Sequence, residues 1–108
     1  MDATTAVIVF TTLPLSADAD AFARVLVDER LAACVAISAE IRSTYRWEGA
    51  VAVDGERQIM IKTLAARVQD LCQRLASLHP YSVPEVLVVP AIDGSPAYLN
   101  WIRESVSP

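Results

Sequence analysis

Few side chains in this sequence suit chemistry at neutral pH. It has one histidine, His79, one lysine, Lys62, and two cysteines, Cys34 and Cys72. A thiolate and an imidazole suit copper or zinc, and Cu(II) binds tightest among the divalent first-row ions. Cys34 and His79 are therefore candidate metal ligands. Glu85 is the candidate carboxylate, because it stands between Pro84 and the apolar run Val86-Leu87-Val88-Val89, where an unpaired charge is costly. Each has a plainer role beside this one. Cys34 can be a small hydrophobe opening a strand, His79 can end a helix and bond its carbonyls, and Glu85 can form an ion pair with Lys62. Cys72 lies on an apolar helix face and reads as core.

Aromatic residues supply the second possibility. Tyr45, Trp47, Tyr81 and Trp101, with Lys62, His79 and Glu85, would line a cleft at a subunit boundary. Aromatics with a few convergent polar groups make ligand pockets, and they also make oligomer interfaces. With Lys62 in the cleft, the expected ligand is an anionic metabolite. Enzyme constellations are missing. Gly49, Gly55 and Gly94 each stand alone, so no glycine-rich phosphate loop exists. A single histidine with no nucleophile-elbow motif gives no triad, and CxxC, HExxH and calcium-loop patterns are absent. No catalytic activity is expected.

The elements that must position these residues follow from periodicity. Ala6–Thr12 is a β-branched run closed by Leu13-Pro14, a strand buried on both faces because it does not alternate. Ser16 offers an N-cap to a helix over about 17–31. Cys34–Ile37 starts a second strand, and beyond it Ile41, Ser43, Tyr45 and Trp47 share one face. Gly49 and Gly55 are both turn signals, and periodicity does not choose between them as hairpin tip; if Gly49 is the tip, Gly55 becomes a bulge. Arg57–Lys62 is strand, and Thr63 can cap a helix over about 64–78, stopped by His79-Pro80. Glu85–Val89 is a short strand, and Ser95-Pro96 starts a last helix over about 96–105. The order β-α-β-β-α-β plus a terminal helix is an α+β, ferredoxin-like split β-α-β plan in a single domain, 1–108. Two helices cover one face of its sheet, and the other face has none.

Composition asks for neighbours. Hydrophobic residues make up 54% of 108 residues and charged ones 20%, with mean hydropathy +0.36. A chain this small buries only about two-thirds of its unfolded surface. No window approaches the roughly 18 apolar residues of a spanning helix, so the surplus points to a homo-oligomer rather than a membrane. Net charge is −4 with a pI near 4.8, and no basic stripe exists, which argues against nucleic acid. The start Met1-Asp2 has no signal-peptide character, so cytoplasmic, reduced thiols are expected.

Several words of the sequence resemble a known family. Glu29-Arg30-Leu31-Ala32-Ala33-Cys34-Val35, Ser43-Thr44-Tyr45-Arg46-Trp47-Glu48-Gly49, Ile61-Lys62-Thr63, His79-Pro80-Tyr81-Ser82-Val83-Pro84-Glu85 and Tyr98-Leu99-Asn100-Trp101 stand in the order and spacing of the CutA family, the divalent-cation tolerance proteins. The resemblance covers about residues 7–103. It implies a ferredoxin-like protomer with a long β-hairpin turning at Gly49, in a PII-like homotrimer whose sheets pair edge to edge. It implies tolerance of divalent cations, copper above all, with Cys34 and His79 at positions associated with metal. Some members carry a cysteine where this chain has Phe10-Thr11, so a multi-thiolate site is not expected here. The PII likeness also admits a small-molecule sensor, or a trimeric scaffold for a protein partner.

Overall fold

A computed structural model describes all residues, Met1–Pro108. The chain runs β1 (Ala6–Pro14), α1 (Ala19–Asp28), β2 (Cys34–Trp47), β3 (Ala50–Leu64), a 3-10 turn (Ala65–Arg67), α2 (Val68–Leu78), β4 (Leu87–Pro90) and α3 (Pro96–Ser105). The four strands form one antiparallel sheet in the order β2-β3-β1-β4. This is the expected α+β, ferredoxin-like plan.

Strand alternation sends Val7 and Val9 of β1, and Ile59 and Ile61 of β3, to one face. There they pack with Phe22 and Leu26 of α1 and with Leu71 and Leu75 of α2. The opposite face carries Ile8, Phe10, Met60, Lys62, Cys34 and Ala36, with Leu87 and Val89 exposed on β4. Full burial of β1 on both faces therefore does not occur within one chain. Nor is the second face bare of helices: Ile102 of α3 and Val106 just past its end cluster with Ala6 and Ala33 and cover one end of it.

Three local expectations are corrected. Asp18, not Ser16, caps α1, its carboxylate accepting from the Ala21 N–H at 3.0 Å. A turn closed by Ala17 N–H to the Pro14 carbonyl delays the helix past Ser16. Thr63 caps nothing. It lies in β3 opposite Val7, fully buried, and its hydroxyl donates to the Leu31 carbonyl at 2.8 Å. The amides of Ala65 and Ala66 are satisfied instead by the carbonyls of Thr5 and Ala3. Finally, β4 starts at Leu87, so Glu85 and Val86 precede the strand.

The hairpin turns at Glu48-Gly49, both with positive φ (50° and 81°), as a two-residue connection of right-twisted strands requires. Gly55 is not a bulge: it pairs in register with Arg42. A Cβ there would lie 2.9 Å from Leu15 Cδ1, so glycine admits the Leu15 side chain. The bulge sits across the ladder, in β2, where Ser38 and Ala39 together oppose Gln58. One extra residue exchanges the two faces of the strand. Without it, Tyr45 and Trp47 would face the α1/α2 side. With it, Ile41, Ser43, Tyr45 and Trp47 join the face that holds Cys34, Ala36, Lys62 and Met60.

Candidate functional site

Beyond Glu56, the hairpin loses its third strand, because β1 ends at Pro14 opposite that residue. The open side of this arm, the end of β1 and the 80–85 segment enclose an open groove of about 780 Å³. Four of the expected cleft residues line it: Tyr45, Trp47, Tyr81 and Glu85. Thr12, Ser43, Glu56, Gln58 and Pro84 are among the other residues of its polar and apolar walls.

Burial and hydrogen bonding fix what lies behind the groove, and His79, expected in the cleft, does not itself line it. His79 follows α2 and is buried. Its Nδ1 accepts from the Tyr81 N–H at 3.1 Å, so the proton resides on Nε2, which donates to the Thr12 carbonyl at 2.7 Å. The ring also meets Phe22 edge-on. Tyr81 folds back against the imidazole (ring centroids 4.9 Å apart), and its hydroxyl donates to Glu56 Oε2 at 2.8 Å. Burial, then this bond to a carboxylate, pushes the Tyr81 phenol well above its usual value. Gln58 Nε2 donates both to the Thr11 carbonyl and to Glu85 Oε2. Tyr45 donates to Asp54, and that bond raises its own phenol pKa.

Lys62 and Trp101 lie elsewhere on the same sheet face. Lys62 is four residues along β3 from Gln58, roughly 13 Å at strand rise. Its ammonium bonds the Tyr98 hydroxyl at 3.2 Å and lies 5.4 Å from that ring's centroid, while Tyr98 stacks tilted on Trp101. The Tyr98 hydroxyl is the main reason the Lys62 pKa is raised. The expected Lys62–Glu85 ion pair does not form. The ion pairs present are Arg67–Asp70 and Arg74–Glu29.

The three expected metal donors are not gathered together. Cys34 sits opposite Lys62, half-buried. His79 has both nitrogens engaged, and Glu85 is exposed beside Gln58. No three ligating side chains of one chain cluster to hold an ion, so the donors of a single copy do not fit a metal site. Cys72 is half-buried, and burial raises its thiol pKa, in keeping with a packing role.

Sequence reasoning missed Glu56, Gln58 and Tyr98. Glu56 follows Asp54-Gly55 and reads as turn; only the register with Ile41 places it under the aromatic face.

The sequence pattern of the CutA1 divalent ion tolerance proteins matches residues 7–105. The divalent-cation tolerance protein CutA of Thermus thermophilus is 42% identical over 98 residues, spanning 91% of this chain and 95% of that one. The mouse protein CutA is 43% identical over 101 residues, and there the match spans 91% of this chain but only 57% of the relative. Among solved structures, CutA from Xylella fastidiosa superposes with a TM-score of 0.91 at 42% identity, covering 95% of this chain and 99% of that one. The Thermus thermophilus CutA1 structure gives 0.90 at 40% identity, covering 94% and 99%.

Proposed function

The chain belongs to the CutA1 family of divalent ion tolerance proteins, and on that premise we propose that it serves divalent-cation tolerance as a cytoplasmic homotrimer, without catalysis. The observation that carries this reading is the arm. Residues 41–55 extend as two strands with no third, and they expose Val51, Val53, Tyr45 and Trp47. An isolated two-stranded ribbon is marginal in water, so other copies of the chain are its natural cover. Only 20 of 108 residues are buried in the single chain, although 54% are hydrophobic.

Cu(II) or a related divalent ion is the proposed cargo, with Cys34 and Glu85 as the residues to test, since both ring nitrogens of His79 are engaged within the chain. Because one copy gathers no set of three donors, the proposed metal position lies at a seam between copies. Calorimetric titration of the metal-free protein with Cu(II) tests this. Binding should weaken in Cys34→Ser and in Glu85→Gln, with circular dichroism verifying that each variant folds. Unchanged binding in both removes these residues from the site.

The groove favours a second reading, a small-molecule sensor. Its size lies within the range of ligand sites, and three aromatic side chains with two carboxylates converge on it. Such a ligand would raise the melting temperature by binding the native state selectively.

A further inference from the structure

We propose that the hairpin arm carries two complementary faces, and that the arginine face of one copy lies on the acidic, aromatic face of the next, bringing Arg42 and Arg46 to the carboxylates of Asp54 and Glu56. This rests on the homotrimer reading and names the surfaces through which the copies cover one another.

Register sorts the charges of the arm. Arg42, Thr44 and Arg46 stand opposite Gly55, Val53 and Val51, and the bulge turns this set toward the α1/α2 side. Tyr45 and Trp47 stand with Ala52, Asp54 and Glu56 on the reverse. At the root of the first face Glu40 stands opposite Arg57, so their charges offset and Arg42 and Arg46 set its sign. The second face of the arm has two carboxylates and no basic side chain. Both faces also expose apolar side chains, Val51 and Val53 on one, Tyr45 and Trp47 on the other. Neither Arg42 nor Arg46 belongs to the chain's two ion pairs.

Sign then decides the mode of contact. A two-fold contact sets a face on itself, carboxylates on carboxylates or guanidinium groups on guanidinium groups, and like charges so placed repel. Unlike faces meet head to tail, the kind of contact that closes as a ring, and a three-chain ring has one such contact per copy. Guanidinium groups stack on tryptophan and tyrosine as well as pairing with carboxylates, so both kinds of group on the second face suit the first. Edge-to-edge pairing of strands would lengthen the ribbon and leave both its faces in water, so it does not supply this cover. The groove beside the arm becomes, in this arrangement, a cleft between two copies.

The test uses the full chain with Arg46→Lys, which keeps the charge and adds an amine. A carbodiimide condenses an amine only with a carboxylate that touches it, and Lys62 is the chain's one other lysine. Denaturing electrophoresis should show chains joined in twos and threes, and peptide mass spectrometry should place the join between position 46 and Asp54 or Glu56. Those acids lie on the opposite face of the same arm, so the join does not form within one chain. A charge cycle is the second measurement. Arg46→Asp and Asp54→Arg should each raise the concentration at which the assembly half-dissociates by about tenfold or more, and the two together should return it to within about threefold of the parent. The proposal is overturned if position 46 is joined only to acids of its own chain or to none, or if the double variant dissociates as readily as the single ones. If the parent chain is nonetheless a three-chain species by native mass spectrometry, the face assignment falls and the homotrimer reading stands. A parent found as a single chain takes both down.

Discussion

His79 shows how one side chain can look like a ligand in sequence and act as a brace in the fold. Both ring nitrogens are spent within the chain, one on the Thr12 carbonyl and one on the Tyr81 amide. Replacing it with phenylalanine keeps the ring and leaves a buried carbonyl without a donor. His79→Phe should therefore lower unfolding free energy by about 1–3 kcal/mol in metal-free protein. Chemical unfolding measures this, and a variant as stable as the parent contradicts the bracing role. Tyr81 makes a pH prediction. Unfolded, its phenol ionises near 10; folded, burial and Glu56 hold the proton on to higher pH. Above that pH the folded state binds more protons, so the contribution is whole below pH 10 and fades as pH rises past it. Tyr81→Phe should flatten the decline in stability above about pH 10; an unchanged slope would show that Tyr81 is not its source. None of this was legible beforehand. The sequence displays a histidine before a proline, but the partners that occupy its nitrogens come from the end of β1 and from the turn beyond Pro80.

At the scale of elements, most strands and helices could be read directly. The Ser95-Pro96 start of α3 is as expected, with the Ser95 hydroxyl accepting from the Tyr98 amide. The failures were at helix starts: Asp18 replaces Ser16 as the cap of α1, and after β3 the carbonyls of Thr5 and Ala3 replace the side-chain cap that local pattern suggests for Thr63. Two positions carry left-handed strain that other residues would relieve. Arg30 follows α1 at φ 58°, where the amides of Arg30 and Leu31 close onto the carbonyls of Val27 and Leu26, a Schellman ending that favours glycine. Glu48 occupies the first place of the hairpin turn at φ 50°, where asparagine before glycine is favoured. Glu48→Asn should raise stability by about 1 kcal/mol, read as a shift in the denaturation midpoint; a destabilised variant would mean that Glu48 makes a compensating contact. The bulge matters more for function. Deleting Ala39 should restore an even register and turn Tyr45 and Trp47 from the groove. Trp47 emission should then change. Its retention would show that the arm's orientation does not depend on the extra residue. The alternation of Ile41, Ser43, Tyr45 and Trp47 was visible in sequence, but which sheet face they share was not, because the bulge has no glycine or proline to mark it.

For the whole molecule, the fold class and the family were legible, and the site was legible in part. Tyr45, Trp47, Tyr81 and Glu85 do converge on one groove, whereas Lys62 and Trp101 stand with Tyr98 further along the same face. Sequence alone places Lys62 in the same cleft, although strand rise separates it from Gln58 by roughly 13 Å. What the chain leaves uncovered is consistent with its composition: an arm with apolar side chains on both sides, and a sheet face that α3 covers at one end only. The central claim is that copies of the chain supply the missing cover. Native mass spectrometry of untagged protein, purified without added metal, tests it most directly and reports any retained ion or small molecule in the same spectrum. The account predicts a three-chain species that persists at micromolar concentration. A stable, monodisperse single chain under those conditions would contradict it.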